Sequence, residues 1–124
     1  MPIFLLTTHC LRKKKYNKRI KPSGTFIAGG GFYTMVLRSD GTLWSCGQNG
    51  YGQLGRIGDT DELLQVGTGN QWLSVVTGYF HTLALRSDGT LWSCGRNNCG
   101  QLGRTGATEL LQVGTGNQWL SVVT

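Results

Sequence analysis

From Phe26 onward, short runs of apolar and β-branched residues alternate with glycine-rich polar stretches, and no segment keeps a 3.6-residue period with caps. The segments HTLAL (His81 to Leu85) and TLWSC (Thr90 to Cys94) are rich in β-formers and bounded by turn residues, so each predicts a strand. Between them Arg86-Ser87-Asp88-Gly89 supplies an Asp-Gly pair, which predicts a tight hairpin because glycine takes positive φ without steric cost. Asp40-Gly41 predicts the same hairpin earlier in the chain. Glycines 47, 50, 52 and 55 then give the chain a sharp path away from that hairpin. A third strand is expected over Leu63 to Val66. Gly67-Thr68-Gly69-Asn70 turns the chain into a fourth, Trp72 to Val76.

This order of elements occurs twice. LRSDGTLWSCG runs from Leu37 to Gly47 and again, unchanged, from Leu85 to Gly95. GQLGR stands at Gly52 to Arg56 and at Gly100 to Arg104, and VGTGNQWLSVVT at Val66 to Thr77 and at Val113 to Thr124. About 38 of 47 aligned pairs between Gly30–Thr77 and Gly78–Thr124 are identical, which marks a duplicated unit. Four short strands in about 48 residues match the arithmetic of one propeller blade. The expected fold class is therefore all-β, built of two four-stranded propeller blades. A sheet this small cannot hide both faces, so blades need neighbours. Trp44, Trp72, Trp92 and Trp119 are read as packing residues between blades rather than as platforms for bases or sugars.

Composition fits this picture. The chain has 124 residues, room for one small domain. Its 20 glycines are about twice the usual share, and most fall at repeated turn positions. With 39% hydrophobic and 15% charged residues, wholesale disorder is not expected. No apolar run is long enough for a membrane-spanning helix.

Charge changes the picture more. The formal net charge is +6, but seven of the twelve basic residues lie in RKKKYNKRIK: Arg12, Lys13, Lys14, Lys15, Lys18, Arg19 and Lys21. From Pro22 onward, five basic residues face six acids, a net of −1. The expected organisation is a disordered basic arm over residues 1–25 followed by a first repeat over 26–77 and a second over 78–124. The arm's charges follow a short apolar stretch, Ile3 to Leu6, which is the reverse of a secretory signal. An arm of this density binds phosphates by counterion release, so non-specific DNA contact through these seven residues is one expectation. A nuclear import signal, contact with anionic lipid and a merely solvated tail are the others.

Catalytic chemistry is not visible. Two nearly identical units present the same groups twice. The differing pairs include Gly31/Tyr79, Tyr33/His81, Gln48/Arg96, Gly50/Asn98, Tyr51/Cys99 and Asp59/Ala107, and none forms a nucleophile, base and orienting acid at known spacing. Gly29-Gly30-Gly31 lacks the Gly-Lys-Ser/Thr of a phosphate loop. Cys10, Cys46, Cys94 and Cys99 show no Cys-x-x-Cys and no histidine spacing suited to zinc. They are read as free buried thiols, in keeping with a reducing compartment, cytoplasmic or nuclear. One turn carboxylate per unit, Asp40 or Asp88, is a thin calcium ligand set. No cofactor and no metal are expected.

The motifs resemble the regulator of chromosome condensation repeat family, whose repeats join Gly-x-x-His-Thr-x-Ala-Leu to an Asp-Gly hairpin and then to Trp-x-x-Gly-x-Asn-x-x-Gly-Gln-Leu-Gly. Gly78, His81, Thr82, Ala84, Leu85, Asp88, Gly89, Trp92, Gly95, Asn97, Gly100, Gln101, Leu102 and Gly103 match position by position. The first unit matches at Gly30, Thr34, Leu37, Asp40, Gly41, Trp44, Gly47, Asn49, Gly52, Gln53, Leu54 and Gly55, with Tyr33 in place of the histidine and Val36 in place of the alanine. The resemblance implies a structural role for His81, Asp40, Asp88, Trp44, Trp92, Gln53 and Gln101, with His81 making a structural hydrogen bond. It also implies a ring that typically has seven blades, of which this chain holds two. The family's founding member is a nucleotide-exchange factor for a small GTPase and binds chromatin partly through a basic tail. The loop insertions on which exchange depends have no counterpart here.

The expected function is thus a non-catalytic propeller module that meets a protein partner through loops on one rim. A guanine-nucleotide exchange factor at chromatin and a truncated gene remnant are the alternatives. Two blades leave two sheet faces open, and the chain stops where the next Gly-x-x-His-Thr would begin. The expectation is a piece of a larger propeller, or copies that assemble into a ring of six or eight blades.

Overall fold

The computed structural model describes residues 20–58, 60–106 and 110–116. Eight strands follow one another: β1 (Phe26–Gly29), β2 (Tyr33–Leu37), β3 (Leu43–Gly47), β4 (Leu64–Gln65), β5 (Trp72–Thr77), β6 (His81–Arg86), β7 (Leu91–Gly95) and β8 (Leu111–Gln112). They form two antiparallel sheets, β1-β2-β3-β4 and β5-β6-β7-β8, and the described residues contain no helix. The fold is all-β, with two four-stranded blades that do not close into a ring.

The expected third strand, Leu63 to Val66, narrows to two residues in each sheet, pairing Trp44 with Gln65 and Ser45 with Leu64. The strand at Trp72 does not return to its own sheet. After the Gly67–Asn70 turn it begins the second sheet, where Val75 pairs with Ala84 and Thr77 with Thr82. Sheet and sequence repeat are therefore offset by one strand.

Both hairpins form where the Asp-Gly pairs predict them. Gly41 and Gly89 have φ of 87° and 85°, a backbone open chiefly to glycine. Arg38 N–H donates to the Thr42 carbonyl at 2.9 Å, and Arg86 N–H to Thr90 at the same distance.

The core lies between the sheets. Strand alternation points Tyr33, Met35 and Leu37 of β2 toward the second sheet, together with Leu43, Leu54 and Val66. Trp72, Val75 and Ala84 meet them from the other side, with Trp92 packed at the edge. The Gln53–Leu54 loop is clamped in this junction. Thr82 Oγ1–H donates to the Gln53 carbonyl at 2.9 Å, and the Cys94 thiol approaches the same oxygen at 3.5 Å.

Candidate interaction surface

The repeat-signature residues build loops. Asp40 Oδ1 accepts the Thr42 N–H at 3.0 Å and its hydroxyl at 2.6 Å, and Trp44 Nε1–H donates to that hydroxyl at 2.7 Å. Asp88, Thr90 and Trp92 repeat the relay at 3.1, 2.6 and 2.8 Å. The hydrogen bonds from Thr42 hold the Asp40 carboxyl below its ordinary range. Gln53 Oε1 accepts Tyr51 N–H and Gln101 Oε1 accepts Cys99 N–H, each at 2.8 Å, so both glutamines brace the turn before them. Arg56 and Arg104, which the sequence left as unassigned charges, donate to Ser45 and Ser93.

The tryptophans divide. Trp72 and Trp92 meet edge to face at 5.9 Å, with Arg86 about equally close to both rings (5.5 and 5.3 Å). They are junction residues. Trp44 is half-buried beside Arg38 on the side of the first sheet that faces away from the second. Trp119 lies outside the described residues.

Tyr33 makes the main polar tie between sheets. Its hydroxyl donates to the His81 carbonyl and lies 3.1 Å from Thr82 Oγ1. Burial pushes that phenol up to about 12. The ring fits because Gly30 lies under it, where a Cβ would stand 1.9 Å from Tyr33 Cε1. His81 sits over Gly78 in the same way, and a Cβ on Gly78 would stand 2.1 Å from its ring. Tyr33, the counterpart of His81 one repeat earlier, makes a bond of this structural kind. Among the described residues the His81 ring meets no third blade, and its partial burial lowers its pKa.

Of the basic arm, Arg12, Lys13, Lys14, Lys15, Lys18 and Arg19 lie outside the described residues. Lys21 is half-buried, and its ammonium donates to the Asn70 carbonyl. The neighbouring Pro22 is buried. The thiols also differ among themselves: Cys94 is buried, Cys46 half-buried and Cys99 exposed, contrary to a uniformly buried set. Burial pushes the Cys94 thiol up to about 12. Among the described residues no three His, Cys, Asp or Glu side chains group as metal ligands.

What sequence reasoning missed is a ladder of rings on the rim that carries the β1–β2 and β5–β6 loops. Phe32 lies 6.4 Å from Tyr79, Tyr79 stacks on Phe80 at 4.5 Å, and Phe80 meets Tyr51 at 5.0 Å. The Arg96 guanidinium caps it, 5.1 Å from the Tyr51 ring and 5.6 Å from Phe80. Phe32 is 70% exposed and Tyr79 58%. Backbone bonds fix the rungs: Gln48 N–H donates to the Phe32 carbonyl at 2.8 Å and Arg96 N–H to Phe80 at 2.9 Å. Gly31 lets Tyr79 approach, donating to its carbonyl at 2.7 Å where a Cβ would meet the ring at 2.3 Å. The signal was available in the sequence, because Tyr79, Arg96 and Tyr51 are all positions at which the two repeats differ.

Two family models, each described as regulator of chromosome condensation (RCC1) repeat, match the chain, one at residues 25–53 and 72–101 and the other at 40–85. Similar solved structures include Kap60 bound to yeast RCC1 (Prp20), at 25% identity and TM-score 0.66, over 73% of this chain and 23% of that one. Human WBSCR16 is similar at 26% identity and TM-score 0.58, over 73% of this chain and 26% of that one. Prp20p from Saccharomyces cerevisiae, whose structure was described with its binding to Gsp1p and histones, shares 23% identity and TM-score 0.61 over 80% and 28%, a likeness of fold alone. The chain spans about a quarter of the length of these structures. No curated protein matches it. Matched by the two models together over residues 25–101 and folded as these structures fold, the chain belongs to the regulator of chromosome condensation (RCC1) repeat family.

Proposed function

We propose that the protein is a non-catalytic propeller-repeat module that binds a partner protein through the loops of one rim. The exposed ring ladder Phe32–Tyr79–Phe80–Tyr51 carries this reading. Tyrosine, phenylalanine and arginine are the residue types that concentrate binding energy at protein interfaces, and stacked rings lose little entropy on contact. A photo-crosslinking residue placed at Phe32, on the ladder rim, or at Ser39, on the hairpin rim, tests it in an extract of the source cells. Specific capture of a polypeptide from one rim is expected. Capture at neither position overturns the module reading. Accelerated nucleotide release from a small GTPase would replace it with the exchange reading.

A second element of the proposal is that the open faces take further blades of the same kind, including those of a second copy. Equivalent positions support it: Ile27 is 73% exposed where Val75 is 9%, and Thr34, Val36 and Cys46 are half-buried where Thr82, Ala84 and Cys94 are at 0%. At the other end His81 and Gln101 are half-buried where Tyr33 and Gln53 are at 4% and 0%. Light scattering of the full chain is expected to give a multiple of the monomer mass. A folded monomer rules out assembly of copies.

A further inference from the structure

Resting on the module reading, we infer that the ring ladder is a docking surface for an extended acidic segment of a partner protein, with an aliphatic or proline side chain on Phe32 and Tyr79 and a carboxylate on Arg96. Among the described residues Arg96 is the one charged side chain in the cluster. Contact with Tyr51 and Phe80 holds its planar guanidinium in place, so part of the ordering cost is met before a partner arrives. A fork of N–H donors in that position suits a carboxylate. At the far end, Phe32 is 70% exposed and offers apolar area without a charge. Ring spacings of 6.4 and 4.5 Å, and 5.6 Å from Phe80 to Arg96, are covered by about five extended residues at about 3.3 Å each.

Two observations favour a peptide over single-stranded nucleic acid. The rings stack on one another, so Tyr79 and Phe80 already occupy the faces on which a base would lie. One guanidinium is a weak match for a polyphosphate backbone.

The ladder is also where the duplicated units part. Gly31, Gln48 and Cys99 occupy the positions equivalent to Tyr79, Arg96 and Tyr51. The Asp-Thr-Trp relays, the glutamine braces and the arginine-to-serine bonds are the same in both units, so these differences distinguish one rim position from the other while those bonds stay in place.

Those same differences supply variants that the blade already accommodates. Random heptapeptides displayed on phage are selected on the full chain, and the enriched peptides are measured against Arg96→Gln and Tyr79→Gly, each importing the other unit's residue. Enrichment of Asp or Glu near Pro or an aliphatic residue is expected. Arg96→Gln should weaken these peptides about five- to tenfold, with the salt dependence reduced, and Tyr79→Gly about tenfold or more. Unchanged denaturation midpoints in both variants show that binding, not folding, was altered. A basic or uncharged consensus, no enrichment, or equal binding to both variants overturns the inference. So does displacement of the peptides by a short oligothymidylate. Peptides that bind all variants equally leave the module reading standing, which falls only if neither rim captures a polypeptide.

Discussion

Tyr33 reaches from the first sheet to donate its hydroxyl to the backbone carbonyl of His81, the residue that holds its own place 48 positions later. The first repeat thus clasps the second through the residue that opens β2. The clasp is specific, because Thr82 Oγ1 stands 3.1 Å from the same hydroxyl and Gly30 leaves room for the ring. Tyr33→Phe keeps the ring and removes the oxygen, so the His81 carbonyl keeps the Gly78 N–H and Thr82 its bond to Gln53, while the tie between the sheets is lost. A loss of about 1–2 kcal/mol is expected from urea denaturation. An unchanged midpoint would show that water replaces the phenol.

Gly95 has φ of 113°, and a Cβ there would stand 2.4 Å from the Phe80 carbonyl oxygen. Backbone cannot move aside as a flexible side chain does. Gly95→Ala is expected to cost about 3 kcal/mol or more. Gly24→Ala, with nothing within 4 Å of the new atom, is expected to stay within about 0.5 kcal/mol of the parent. Thermal denaturation of the pair separates steric from general glycine effects.

Cys94 is buried with its thiol pushed up to about 12, while Cys99 is exposed. Iodoacetamide at neutral pH is expected to label Cys99 in the folded protein and Cys94 only after denaturant is added. Peptide mapping by mass spectrometry reads the two sites separately. Equal labelling without denaturant would mean that the sheets separate on the time scale of the reaction.

Burial lowers the His81 pKa from its ordinary 6.5, so the folded protein holds its proton less well than the unfolded chain. Stability then rises with pH. It is complete above the unfolded pKa and declines as pH falls through about 6.5 toward the folded value. His81→Tyr, which places the first unit's residue in the second, is expected to flatten the denaturation midpoint between about pH 5 and pH 7. A midpoint with the same slope in both proteins would assign the dependence to other groups.

Much of this architecture was legible in the residues. Repeated Asp-Gly pairs located both hairpins, and the β-rich runs located β2, β3, β6 and β7, because both are signals of local geometry. The partner of Trp72 was not legible. A strand's sequence records which face is apolar but not which edge it joins, and the Gly67–Asn70 turn suits either route. The ladder escaped for a related reason. Phe32, Tyr51, Tyr79 and Arg96 are far apart in the chain, and only the stacking of one blade on the next brings them together.

The offset between sheet and repeat bears on how such arrays gain and lose members. Because the first repeat encodes β5, the outer strand of the second sheet, a recombination break can fall anywhere within the period. Removing or inserting one whole period leaves every remaining sheet four strands wide. The number of blades changes while their breadth does not, so the array lengthens or shortens in whole steps without ever passing through a sheet that lacks its border.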